Sequence, residues 1–309
     1  MNEGNLSVRL SASMTYGKVS HVAECPDIGP DCFTDNPPEP FNHHVSLFMS
    51  DINLLLAYGI TSYLAVETRF TLGITKMDAE FDNLDGTPRD NPQDEIHHRD
   101  ETLVGLRDPW LVFRLGGVKG GLSASARLGM SFPVGRTEPD PYAAGALGIP
   151  HQHLQFGTGT FMPIVGGAVA YAFDFPLELG ATGIGLFNLY ENSEGYRAPS
   201  RLYGIFRVTV PLDDDKWRPY VDLTYVQESE ELWHGHMGME GITARRELHV
   251  GAGVAWRFLP GWQADLGLRA RVAGFTDAAA FNSPGVLEVG ATADFDLLGN
   301  DEGLARETR

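Results

Sequence analysis

Cysteine is nearly absent from this chain: its 309 residues include only Cys25 and Cys32, so at most one intramolecular disulfide can form. Both lie in "ECPDIGPDCF", a stretch rich in Pro, Gly and Asp, where a local Cys25–Cys32 disulfide would suit an oxidising compartment. Long apolar runs are missing as well. No stretch of about 18 apolar residues occurs, which excludes a transmembrane helix. The most apolar region is interrupted by Asp174, Pro176 and Glu178. Basic residues are scarce, with 23 Lys and Arg against 41 Asp and Glu, for a formal net charge of −18. That balance argues against nucleic acid or an anionic membrane surface as partner and favours cations or neutral solutes. The opening "MNEGNLSVRL" lacks a basic segment followed by an apolar core, so no signal peptide is expected in the chain as it stands. It reads either as a cytosolic protein or as a processed form with a start methionine.

Against these absences stand 36 glycines and a period-two alternation that recurs from end to end. In "NLSVRLSASMTY", Leu6, Val8, Leu10, Ala12 and Met14 alternate with Ser7, Arg9, Ser11, Ser13 and Thr15. "YLAVETRFTLGIT" sets Leu64, Val66, Phe70, Leu72 and Ile74 against Glu67, Arg69 and Thr71. "GLSASARLGMSF" and "WQADLGLRARVAG" repeat the pattern, with Arg127, Arg269 and Arg271 on the polar side. There are about twelve such segments of roughly ten residues or more, the length a tilted strand needs to cross a bilayer. Short connectors such as "YGITSY", "LGGVKGG" and "LPGW" alternate with long polar stretches at 18–42, 77–102, 135–150, 191–200, 229–243 and 276–284. This layout predicts an all-β fold, a single transmembrane antiparallel β-barrel with both termini on the short-turn side. Tyr58, Tyr63, Trp110, Phe132, Trp256 and Trp262, near strand ends, fit interfacial aromatic girdles. A soluble sandwich or lipocalin-like barrel also alternates. Its dry inward face could not absorb Arg69, Arg127, Arg207, Arg269 and Arg271 beside Glu67 and Asp222, whereas a wet lumen could. These residues are therefore the expected lumen lining. The barrel is expected over residues 1–298, with a polar tail at 299–309.

Four stretches carry a family resemblance: "LLAYGITSYLAVETRF" (55–70), "VGLRDPWLVFRL" (104–115), "LSASARLGMSFPVGR" (122–136) and "LQFGTGTFMPIVGGAVAYAF" (154–173). In them the chain resembles bacterial outer-membrane β-barrels of the "MetA pathway of phenol degradation"-like transporter family. Those relatives read a strand–turn–strand near "YGLTDRL", then "GLGD", then a strand ending in Pro-x-Gly, then "GTGS". The second half of the chain matches by pattern only. The resemblance implies the outer membrane of a Gram-negative bacterium, contact with its lipid, and transport of small, often apolar or aromatic compounds. The ending "FDLLGNDEGLARETR" runs past the terminal aromatic residue such barrels commonly have, which leaves the last strand boundary open.

Histidine is the residue outside that family pattern. Eight of the ten come in pairs, His43–His44, His97–His98, His151–His153 and His234–His236, with His21 and His249 besides. All fall in the long stretches or the adjoining strand ends. If Val221, Leu223 and Tyr225 face lipid, then Glu228 faces inward, and so do His234 and His236 if the strand continues. The same parity, with Leu248 and Val250, Leu154 and Phe156, and Val45 and Leu47 on lipid, turns His249, His151, His153 and His44 inward. Converging at one mouth, these imidazoles would suit zinc or copper, and the thioethers of Met237 and Met239 would favour Cu(I). The competing reading is a set of solvated loop histidines beside an acidic rim, which concentrates cations whatever it binds. The His44-x-Ser46 step has nucleophile–base spacing, but no partner acid is evident and no enzyme is expected. "GTGTF" lacks the lysine and helix of a phosphate loop, so its glycines predict a kink or a close backbone approach. The sequence thus reads as an outer-membrane channel whose acidic, histidine-rich mouth binds zinc or copper. The alternatives are an uptake channel for small aromatic or apolar solutes, and an accessory barrel that binds a partner protein through its loops.

Overall fold

The computed structural model describes residues 3–23, 35–37, 39–90, 99–237, 244–274 and 285–298. Cys25, Cys32, Met239 and the tail 299–309 lie outside them. The longest strands come first: β1 (Asn5–Ala23), β2 (Phe41–Gly59) and β3 (Leu64–Asn83), of 19, 19 and 20 residues. β4 (Glu101–Leu106), β5 (Trp110–Lys119) and β6 (Leu122–Ser131) precede a short helix, α1 (Pro141–Ala146). Next come β7 (Met162–Ala172), β8 (Glu178–Leu186), β9 (Tyr196–Arg197), β10 (Arg201–Thr209), β11 (Trp217–Glu228) and β12 (Leu232–Trp233). β13 (Arg245–Leu259), β14 (Trp262–Gly274) and β15 (Gly285–Asp296) follow.

β9 and β12 form a separate two-stranded ribbon. The other strands pair antiparallel in one sheet, and β1 closes it onto β15 from Asn5↔Asp296 to Thr15↔Val286. β4 and β5 occupy one position, because both pair with β3, at residues 72–77 and 64–69 respectively. The sheet is therefore a closed barrel of twelve staves. Closure satisfies the backbone along every stave edge it joins, which is what allows strands to stand in hydrocarbon. Outward Leu115, Leu128 and Leu268 are 61%, 65% and 59% exposed, the band a lipid would cover. At the short-turn end, Gly120 and Gly121 between β5 and β6 take φ of 56° and 80°. Asp213, Asp214 and Asp215, between β10 and β11, also have positive φ, a region Asp tolerates better than most residues.

The rim at the other end is uneven. β8 and β10 have 9 residues and β6 has 10, about what a tilted strand needs to cross the bilayer, so β1–β3 rise well above it. On that upper wall the polarity inverts. Lys76 and Asp78 form an outward ion pair at 2.8 Å, while Val45, Leu47 and Met77 are buried inside against Leu154. Above the lipid the outside is water and the inside is filled by chain, so apolar side chains turn inward. This corrects the parity expected for β2. His43 is inward and 4% exposed, and His44 and Ser46 face out. On the outer face, Tyr16 donates to Ser46 Oγ at 3.2 Å. His44 instead lies between Ser20 Oγ (2.9 Å) and Asp82 Oδ2 (3.2 Å), a strap across β1, β2 and β3.

Candidate functional site

The stave shared by β4 and β5 breaks at residues 107–109. Pro109 offers no N–H and holds Asp108 extended. Pairing passes from Leu72↔Leu106 to Arg69↔Trp110, so four residues on one stave (107–110) oppose three on β3 (69–71). The extra residue is a β-bulge that reverses parity. Leu103 and Gly105 face inward on β4, whereas Trp110, Val112 and Arg114 do so on β5. At the break the Asp108 carboxylate accepts three hydrogen bonds: from Gly135 N (2.8 Å), Thr158 N (2.8 Å) and Thr158 Oγ1 (2.7 Å). "LRDP", "FPVGR" and "GTGTF", far apart in sequence, meet at this one side chain.

That clamp holds the 154–158 part of the loop between β6 and β7 against the inner wall. A Cβ on Gly157 would lie 2.3 Å from Gly135 O, so only glycine permits the two backbones to touch. The Phe156 ring lies on the inner wall where Gly73 and Gly105 leave room for it; a Cβ on either would come within 2.8 or 2.6 Å of the ring. Leu154 packs on Val45, Leu47 and Met77. Leu154 and Phe156 therefore face the interior and not lipid, because at this height the interior is packed protein.

Below the inserted loop, the inward face of β5–β8 carries a buried apolar cluster. Val112, Met162, Ile164 and Leu186 are all under 8% exposed and pack with Trp110, Ile184 and Tyr203. Beneath this layer, at the short-turn end, lies a chamber of about 470 Å³. Arg114, Arg127, Arg207 and Glu178 face it, and Ser125, Gly180 and Thr182 are small enough to leave it open.

Interior charges are organised as carboxylates held between cations from neighbouring staves. Glu67 takes Arg114 at 2.9 Å and Arg127 at 2.8 Å. Asp222, with its side chain fully buried, takes Arg207 at 2.8 Å and Arg269 at 3.0 Å, and Arg269 also reaches Glu288 at 2.7 Å. Higher up, Glu228 takes Arg201 at 3.0 Å and Arg245 at 2.6 Å. Glu247 takes one such cation, Arg271 at 3.3 Å, and also lies 3.1 Å from Nε2 of His249 on its own strand. Arg69 differs. Its guanidinium lies 3.6 Å over the Trp110 ring, and its buried Nε has no hydrogen-bond partner among the described residues.

The histidines do not gather. His44 is on the outer wall, and His249 is buried against Glu247 inside. β11 ends at Glu228, and His234 sits in a turn with φ of 51°, its Nε2 3.3 Å from Asp140 Oδ2. Strand parity cannot run through such a turn, so it does not set the direction of His234 or His236. His236 pairs through its backbone with Trp233, and Met237 is 52% exposed. His151 and His153 are neighbours, with ring centroids 5.2 Å apart, and His153 lies against Tyr142 of α1. Among the described residues, no group of three or more His, Cys, Asp or Glu is placed to hold a metal ion. Asp108 is the residue that sequence reasoning passed over, and Phe156 the one it assigned to lipid. The available signal was "RDP" inside an otherwise alternating strand.

A family model described as "MetA-pathway of phenol degradation" matches residues 53–274. Among solved structures, the chain is similar to an outer-membrane channel from Pseudomonas putida F1, with a TM-score of 0.60 and 12% identity over 96% of this chain and 97% of that one. The Pseudomonas putida toluene transporter TodX aligns with a TM-score of 0.44 and 9% identity, over 96% and 90% of the two chains. The monoaromatic hydrocarbon channel CymD aligns with a TM-score of 0.43 and 9% identity, over 96% and 89%. No curated protein matches the chain.

Proposed function

The chain belongs to the "MetA-pathway of phenol degradation" family, and from that premise we propose that it is a passive outer-membrane channel for small aromatic or apolar solutes. A closed barrel with an apolar outer band and polar interior charges is the architecture of an outer-membrane protein. One observation carries the choice of solute: the buried inward apolar cluster of Val112, Met162, Ile164 and Leu186, between the inserted loop and the lower chamber. A channel for sugars or ions needs continuous water along its wall. An apolar layer at mid-height offers such solutes no hydrogen bonds, while an aromatic ring loses nothing by crossing it. Trp110 and Tyr203 at its edge supply faces for ring stacking. Capture of zinc or copper at the mouth is not favoured, because His44, His234 and His249 lie at separate places with separate partners.

The test is uptake into proteoliposomes whose lipopolysaccharide-rich outer leaflet resists aromatic compounds. Radiolabelled benzyl alcohol should enter at least several-fold faster with the protein than without it, and radiolabelled arabinose should gain little. Equal gains for both would make the protein a general porin and remove this reading.

A further inference from the structure

We infer that the lower chamber is an anion seat, and that the favoured solute is a small aromatic acid whose carboxylate is taken by Arg69 and then by Arg114, Arg127 and Arg207. The inference rests on the channel reading above and narrows its solute.

The first support is the inventory of donors. Each guanidinium carries five N–H groups. Arg114 meets Glu67 through Nη1, Arg127 meets it through Nε and Nη2, and Arg207 meets Asp222 through Nη2. Arg207 Nε is buried with no partner among the described residues. Three guanidiniums and one carboxylate, Glu178, face the chamber, while Glu67 and Asp222 stand behind the arginines they hold. The wall therefore presents N–H donors and an excess of positive charge toward the space.

The second support is independent of the chamber. Arg69 stands level with Trp110, and Arg114 lies four residues further down the same stave toward the short-turn end. The Arg69 guanidinium is stacked on Trp110 at the edge of the apolar layer, and its Nε, like Arg207 Nε, is buried with no hydrogen-bond partner among the described residues. A hydrocarbon would need neither group, and a buried guanidinium lacking a full set of acceptors is costly to keep. A carboxylate accepts the missing bonds in bidentate fashion, and the ring beside it suits the apolar layer. The chamber volume lies within the usual ~300–1,000 Å³ of small-molecule sites. The chain as a whole, at −18, repels anions, so the arginine route is a local reversal of the field an anion meets outside.

The experiment compares benzoate with neutral benzyl alcohol in the same lipopolysaccharide proteoliposomes, using the full-length protein and the variants Arg69→Met and Arg207→Met. The expected result is a benzoate to benzyl alcohol uptake ratio above one, falling at least ten-fold in each variant. Arg69→Met breaks no carboxylate ion pair among the described residues, so it tests the route without dismantling the interior network. Heat-modifiable gel migration identifies a variant that fails to fold: Arg207→Lys then replaces Arg207→Met, Arg69→Gln replaces Arg69→Met, and the replacement for Arg69 is held to the same ten-fold fall. A ratio at or below one, or a ratio unchanged in Arg69→Met, overturns the anion seat and leaves the channel reading standing. Failure of both solutes to enter removes the channel reading as well.

Discussion

Replacing Asp108 with alanine should convert a closed barrel into a leaky one. The carboxylate accepts hydrogen bonds from two backbone amides and one hydroxyl, tying together three segments that are otherwise linked by Phe132 N donating to Pro109 O and Gly157 N donating to Arg136 O. Hydrogen bonds to a charged group contribute about 1.5–3 kcal/mol each, and an amide left buried without a partner costs a similar amount. Even a net loss of ~3 kcal/mol shifts the seated and displaced states of the loop by roughly a hundred-fold. Because Leu154 and Phe156 travel with the loop, its displacement uncovers the upper lumen while the twelve staves stay paired. Planar-bilayer recordings should show a clear rise in open-state current over the parent protein, and Asp108→Asn should fall between the two. Parent-like current in Asp108→Ala would mean that packing and the remaining hydrogen bonds, such as Gly157 N to Arg136 O, seat the loop without the carboxylate.

Gly157→Ala should produce a comparable opening from a smaller chemical change. The added methyl would lie 2.3 Å from Gly135 O and 2.4 Å from Gly135 C, both backbone atoms that cannot rotate away. Relief requires the two strands of the loop to separate, which pulls Gly135 N and Thr158 from Asp108. The two substitutions act on one clamp, so their effects should not add. The Asp108→Ala/Gly157→Ala protein is expected to conduct about as well as either single variant, within the ~0.5 kcal/mol scatter of independent sites. Limited proteolysis within residues 132–161 should accelerate in all three, while heat-modifiable migration of the barrel stays as in the parent. Fully additive conductance would separate the glycine contact from the aspartate knot.

The staves were legible because their signal is local. With lipid outside and charge inside, each residue of a strand such as "YLAVETRFTLGIT" announces its own face, and Glu67, Arg69 and Arg127 follow from counting by two. Three features lay beyond counting. The bulge at 107–109 inserts a single residue, so parity right for Leu103 is wrong for Trp110, and only the ladder register reveals the shift. The height of β1–β3 is a property of strand length against bilayer thickness. Val45 and Leu47 look lipid-facing in sequence because the pattern cannot say where water begins. The descent of residues 132–161 joins positions 50 apart in the chain, Asp108 and Thr158, a pairing that no period encodes. His249 faces inward as counting predicts, whereas His44 and His234 do not follow it, since their directions extended a strand above the membrane or through a turn.

The uneven rim bears on how the barrel enters its membrane. Lys76, Asp78, His44 and Asp82 end on the far side of the bilayer, so in one-sided insertion the polar outer faces of β1–β3 must pass through hydrocarbon. A lipid-facing Lys costs about 2–4 kcal/mol at the bilayer midplane. β6, β7 and β8 end near the lipid edge, and their strand faces present no comparable barrier. β1 is also one half of the seam with β15. The staves slowest to translocate are thus those on which ring closure waits, and the half-inserted barrel stays open-edged until they arrive.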